Sequence, residues 1–362
     1  MSKKCCLLIS FVFLFTIRAN SQAKDTTSKF TVSGYIDAYY AHYSDSVGTS
    51  NFQKFPSVSP RSNQFGLNTA QVTFQYDAEK VRGVATFHYG DIAKSTWSST
   101  FNNIMEAHAG VRLCEKLWLD AGFFRTHFGT EGLLPKENFC SSVSINTYYE
   151  PYFETGFRLN YLPTEKLSIN IYILNGYNTF EDNNEKKSIG TCITYLLGDK
   201  GSVGYTNYLG DDSPQGTAQS HFRIHQNLFL NYQVKKLKMQ IGADYCLQQH
   251  STLIGNTTAS MGSGVAGLKY PLTDKFAAYG RGEFFYDPDG IMSGVITDSN
   301  FHLTGYKLWG ATLGAEYKPT NDTYIRIECR DLQMEKNQKI FYWKGSSRSD
   351  RIELLMNIGI SF

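Results

Sequence analysis

The order of the connections restricts this chain more than any other feature. About sixteen strand-like segments run from residue 30 to residue 362, joined alternately by tight turns and long loops. The segments read as 30–43, 63–76, 81–90, 102–113, 117–125, 154–162, 167–177, 187–197, 202–209, 220–233, 237–249, 260–270, 275–286, 307–318, 323–330 and 351–362. The turns at 77–80, 114–116, 163–166, 198–201, 234–236, 271–274 and 319–322 are rich in Pro, Gly, Asp and Lys. The long loops are 44–62, 91–101, 126–153, 178–186, 210–219, 250–259, 288–306 and 331–350. A soluble β-sandwich has no reason to keep this order. An all-β, transmembrane, antiparallel up-and-down barrel does, with short periplasmic turns, long outer loops and an even strand count.

Within the segments, polarity alternates with period two. In the last strand Ile352, Leu354, Met356, Ile358, Ile360 and Phe362 share one face, and Glu353, Asn357, Gly359 and Ser361 the other, with Leu355 out of place. Ile325, Ile327 and Cys329 likewise alternate with Arg326, Glu328 and Arg330, and Leu228 and Leu230 with Asn227 and Asn231. An Arg on the lipid face at the bilayer midplane costs about 2–4 kcal/mol, so the charged rows are expected inside. The predicted interior is polar and water-filled.

Targeting agrees. Lys3 and Lys4 precede an apolar run from Cys5 to Ile17, and small residues follow at Ala19, Ser21 and Ala23. This is the layout of a secretory signal peptide over residues 1–23, cleaved after Ser21 or Ala23. It leaves residues 24–362 as the barrel domain, in the outer membrane of a Gram-negative bacterium. Removing Lys3, Lys4 and Arg18 leaves 32 basic against 33 acidic side chains, a balance that gives no electrostatic case for nucleic acid. The 24 Tyr, 25 Phe and 31 Gly suit many short strands with aromatic girdles. Cys114, Cys140, Cys192, Cys246 and Cys329 are scattered singly, which argues against a disulfide framework or a zinc site, and no cofactor is expected.

A barrel of this size encloses a channel unless a loop fills it. Loop 126–153 is the longest connection and the third long one, and it is expected to turn inward and narrow the lumen. It offers Glu131, Lys136, Glu137, Tyr148, Tyr149 and Glu150 as constriction residues. The wall offers Glu106, His108, Arg112, Arg158, Arg223, Arg281, Glu283, Arg326, Glu328, Arg330 and Glu353 as pore-lining candidates. Opposed Arg and carboxylate rows set up a transverse field that selects solutes. For any single residue, cross-strand pairing alone accounts for the charge. His88, His108, His127 and His225 are separate and no G-x-S-x-G or H-E-x-x-H pattern occurs, so no enzymatic activity is expected.

The run Asn63-Gln64-Phe65-Gly66-Leu67-Asn68, with Ala70-Gln71, resembles the OmpL-like β-barrel porin family. Asp120-Ala121-Gly122-Phe123-Phe124-Arg125-Thr126-His127-Phe128-Gly129, Glu154-Thr155-Gly156-Phe157-Arg158 and Leu174-Asn175-Gly176-Tyr177-Asn178 are similar in the same order. The resemblance implies an outer-membrane barrel and passive solute passage, and assigns no residue roles. The favoured function is therefore a porin-like channel for the passive diffusion of small hydrophilic solutes, constricted by loop 126–153. Its expected partners are outer-membrane lipid, small solutes or ions and, in a homo-oligomer, further copies of the chain. The alternatives are a non-conducting barrel that binds a ligand or partner through its outer loops and, third, an outer-membrane hydrolase.

Overall fold

The computed structural model describes residues 29–45 and 51–362; the signal peptide expected over residues 1–23 lies outside the described residues. The strands are β1 (Lys29–Tyr43), β2 (Gln64–Asp77), β3 (Val81–Tyr89), β4 (Ile104–Cys114), β5 (Leu117–Arg125), β6 (Phe153–Tyr161), β7 (Leu167–Leu174) and β8 (Ser188–Leu196). They continue as β9 (Gly201–Gly210), β10 (Arg223–Val234), β11 (Leu237–Gln248), β12 (Ala259–Pro271), β13 (Phe276–Tyr286), β14 (Lys307–Thr320), β15 (Thr323–Met334) and β16 (Asp350–Ser361). Each pairs antiparallel with its sequence neighbours, and β16 returns to β1, closing a sixteen-stranded barrel. Among the described residues no helix is long and apolar enough to cross a membrane; the crossing elements are strands.

Most strand ends shift by a residue or two from the sequence reading and β10 starts at Arg223 instead of residue 220; two further ends differ for a visible reason. β7 stops at Leu174 instead of residue 177, because Asn175, Gly176 and Tyr177 turn over the lumen, where the Tyr177 hydroxyl meets Tyr149 O and His225. β15 runs on to Met334 instead of stopping at Arg330. Beyond Arg330 the two faces exchange polarity: Leu332 and Met334 are buried inside, while Asp331 and Gln333 face out. A polar exterior suits the headgroup level, and the inner apolar pair packs under the outer loops. Leu355 faces inward too, in a cluster with Tyr39, Ala41 and Tyr43.

The outer face is an apolar band. Exposed Phe30, Tyr76, Tyr161, Tyr195, Tyr270 and Phe276 ring the short-turn end, and Tyr40, Phe65, Tyr89, Tyr245, Tyr286 and Trp309 the long-loop end. Such girdles sit at the two lipid–water interfaces.

The seam between first and last strands is held from inside. Gly359 of β16 stands opposite both Asp37 of β1 and Tyr324 of β15. A Cβ at Gly359 would meet the Tyr324 ring at 2.3 Å, so only glycine lets that ring lie over β16. The Tyr324 hydroxyl then reaches Asp37, which also accepts from Asn68 at 2.7 Å and Asn357 at 2.8 Å. A fully buried carboxylate is tolerated because several donors satisfy it.

Candidate channel interior

The loop at residues 126–152 turns into the barrel and crosses to the far wall. Two short elements shape it, a 3-10 turn (Pro135–Glu137) and the helix α1 (Ile145–Tyr149), whose N-cap Ser144 accepts from Thr147 N. The loop carries few charges of its own, so the wall supplies partners for its buried main chain. Glu328 on β15 accepts from Ser141 N at 2.7 Å and Ser142 N at 2.9 Å, and Glu283 on β13 accepts from Ile145 N at 2.8 Å. Arg326 donates to Pro135 O at 2.7 Å and Cys140 O at 3.2 Å. Further round the same wall, on β11, Gln240 donates to Thr130 O at 2.9 Å. Glycines make room for the approach: a Cβ at Gly242 would meet Thr130 Oγ1 at 1.8 Å, and one at Gly190 would meet His127 at 2.5 Å.

A buried string of alternating charge runs from the wall into this loop. Arg351 meets Asp45 at 3.3 Å and Glu353 at 3.2 Å, and Arg330 bridges Glu353 at 3.4 Å to Glu283 at 2.7 Å. Arg281 lies 3.5 Å from Glu283 and 3.1 Å from Glu131 of the loop, and also donates to Ser142 O at 2.7 Å. A second, shorter string joins Lys269, Glu316 and Arg326 at 2.7 and 2.8 Å. Buried charges persist when paired and hydrogen-bonded; Arg281, Arg326 and Arg330 meet both conditions, whereas Arg351 is held by ion pairing and by stacking on Tyr43.

The remaining candidates lie as follows. Glu106 accepts from Thr86 at 3.2 Å and is 3.7 Å from His108, whose ring packs on Phe124. Arg158 holds Asp120 at 3.0 Å, Arg223 donates to Gln248 at 2.9 Å, and Arg112 is exposed against Trp118. In the loop, Lys136 sits 4.4 Å from the Tyr35 ring centroid and Glu137 pairs with Arg125 at 2.6 Å. Tyr148 and Tyr149 pack edge to face, and Tyr149 also meets Phe285 and Tyr306. All the wall candidates face inward; the Arg281–Arg330 group gathers around the loop, while Glu106, Arg112, Arg158 and Arg223 stand apart from it.

Sequence reasoning missed several interior groups. Arg82, Trp118, Asp120, Glu316, Lys269 and Arg351 lie on inward positions that strand parity alone would have selected. It also missed two loops. Residues 51–62 bring Phe55 and Val58 inside, and 91–103 bring the short helix Asp91–Thr96 with Ile92, plus Trp97. Asp91 fixes that helix by accepting from Tyr39 and from Arg61, both at 2.8 Å. The large apolar residues in these polar-looking loops were the available signal. Over the long-loop mouth, Phe55, Ile145, Tyr306, Phe341, Ile291 and Met292 pack on Cys246, Met261, Phe285, Leu308, Leu332 and Met334. Inside, a void of about 30 Å³ remains beside Arg125, Glu131, Leu133 and Tyr152, room for about one water.

Glu150, buried in the loop, accepts from Asn146 Nδ2 at 2.7 Å. Burial first, then the negative charges of Asp244 and Glu131, push its carboxyl well above the usual carboxylate range. Folding therefore takes up a proton here, and the stability this site contributes at acid pH is lost as pH rises through the raised value. Glu150→Gln keeps the acceptor and removes the ionisation. It is expected to raise the melting temperature at about pH 9 and to change it little at about pH 4; equal melting at both values in the two proteins would refute this.

A closed sixteen-stranded barrel with a polar, charge-paired interior and an inward third loop defines a porin-type outer-membrane protein. The chain matches, over residues 29–362, the model of the family described as "Putative beta-barrel porin-2, OmpL-like", and it belongs to that family. Among solved structures it is similar to the outer membrane channel DcaP of Acinetobacter baumannii, with 13% identity, 95% of this chain and 100% of that chain covered and a TM-score of 0.63. It is also similar to the anion-selective porin from Comamonas acidovorans, with 10% identity, 92% and 100% coverage and a TM-score of 0.60. A third is OmpT of Vibrio cholerae, with 11% identity, 94% and 100% coverage and a TM-score of 0.56. At these identities the likeness is one of fold. Among curated proteins no sequence matches.

Proposed function

We propose that the protein is a passive channel for small hydrophilic solutes in the outer membrane of a Gram-negative bacterium, delivered there by the signal peptide over residues 1–23. The observation that carries this reading is the way the wall holds loop 126–153. Glu283, Glu328, Arg281 and Arg326 grip its main chain across the lumen, while its Leu133, Leu134 and Val143 pack on the other inward loops, so the narrowing is held by charged wall residues around an apolar spine. Of the candidates, Glu131, Arg281, Glu283, Arg326, Glu328 and Arg330 act here as a group, setting size and charge at the narrowing. Lipid surrounds the apolar band, solutes pass inside, and no catalytic role is assigned to any residue. The chain works alone or as a homo-oligomer.

One feature favours the second reading, of a barrel that binds a partner outside. The hairpin Phe341–Trp343 with Ser346–Arg348 presents Tyr342 and Trp343 to solvent. Planar-bilayer recording decides between the two. Stepwise single-channel conductance, small because loop 126–153 crosses the lumen, is the expected result; an ion-tight barrel would leave only the binding role.

A further inference from the structure

On the short-turn side of the loop, β3–β6 carry a cationic cluster that simple passage does not require. Arg82, Gly110, Asp120 and Arg158 stand directly opposite one another on successive strands. Asp120 is fully buried and accepts from Arg82 Nε at 2.7 Å and Nη2 at 2.6 Å, and from Arg158 Nε at 3.0 Å. Gly110 makes this closure over β4 feasible, since a Cβ there would meet Asp120 Oδ1 at 2.0 Å. One row closer to the turns, Arg112 faces Trp118, and the guanidiniums of Arg82 and Arg112 lie 4.4 and 4.8 Å from that indole's centroid. Stacking on the ring orients both planes before any solute arrives.

The charges do not cancel. Two guanidiniums hold one carboxylate, whose oxygens are thereby engaged, and a third, that of Arg112, stands beside them on Trp118. Arg112 is exposed and has no ion pair among the described residues, and Arg82 and Arg158 keep 22% and 21% of their side-chain surface open. A cluster serving only wall neutrality would bury or pair that excess. Here it faces the lumen with unused N–H edges, a fork that matches the oxygens of a carboxylate or phosphate.

We propose that Arg82, Arg112 and Arg158, set on Trp118 and Asp120, form a binding site for small solutes carrying a phosphate or carboxylate group. The site rests on the channel reading only for the route by which such solutes arrive. It concentrates anions on the short-turn side of the constriction.

The test uses the folded barrel in a non-ionic detergent, with tryptophan emission followed as inorganic phosphate is added and chloride at matched ionic strength as the control. The expected result is a saturable change with phosphate alone, absent in Trp118→Phe. Arg112→Gln breaks no ion pair, so the barrel folds, and its half-saturation is expected to rise about tenfold through loss of one charge-assisted contact. An equal response to chloride, or an unshifted half-saturation in Arg112→Gln, overturns the site. A saturable response from a barrel that does not conduct leaves the site standing and removes the channel reading. Conductance without the response removes the site alone.

Discussion

Replacing residues 132–144 by a short Gly–Ser linker is expected to raise single-channel conductance several-fold. Conductance follows the narrowest cross-section, and these residues hold the apolar spine Leu133, Leu134 and Val143 that packs against the inward loops. Removing them floods the lumen, so Arg281, Arg326 and Glu328 exchange loop partners for water, a far smaller loss than leaving them unpaired in a dry interior. The wall hydrogen-bonding is untouched, because every barrel strand pairs with neighbours outside this loop. Heat-modifiable migration and far-ultraviolet dichroism should therefore stay as in the parent. An unchanged conductance in a folded variant would mean that ions do not pass this loop at all.

Arg281→Met is expected to destabilise the barrel by about 3–5 kcal/mol, the cost of stranding buried carboxylates. The Arg281 and Glu131 side chains are 1% and 2% exposed, so water cannot screen what remains. Glu283 keeps Arg330, which limits its share of the loss, whereas among the described residues Glu131 retains only the backbone amide of Ser144 at 2.7 Å. Adding Glu131→Gln to Arg281→Met should recover a sizeable part by removing the orphaned charge. Urea unfolding of the single and double variants measures both effects. A single variant within about 1 kcal/mol of the parent would show that the string contributes nothing net, as replaced ion pairs sometimes do.

Much of the barrel is legible in the sequence because its rules are local. A strand announces itself through its own alternation, and a tight turn through Pro, Gly, Asp and Lys. Errors appear where the environment changes along a strand. β15 looks finished at Arg330 because its inner face turns apolar, with Leu332 and Met334, just where the membrane ends. β7 looks longer than it is because Tyr177 continues the pattern while its hydroxyl is drawn inward to His225. Leu355 seems misplaced until Tyr39 and Tyr43 are seen beside it.

The interior is a different matter. The inward parity of Arg281, Glu283, Arg326, Glu328 and Arg330 follows from period two, but their partners do not. Arg281 finds Glu131 at a separation of 150 residues, and Ser141 finds Glu328 at 187. Pairing at that range depends on barrel diameter, strand stagger and the path of a loop, none of which leaves a local mark. The same holds for Phe55 and Ile92, apolar residues in polar loops whose destination only the closed barrel supplies.

By itself, then, the sequence determined strand number, order and the polarity of each face, because those follow from residue-by-residue alternation and connection length. Tertiary structure alone decided what occupies the lumen. Only after sixteen strands close do inward carboxylates and guanidiniums converge on the main chain of loop 126–153, and only then does the Arg82–Asp120–Arg158 row take shape across four strands. A buried charge is stable only beside its partner, so the fold that brings the partners together fixes the interior.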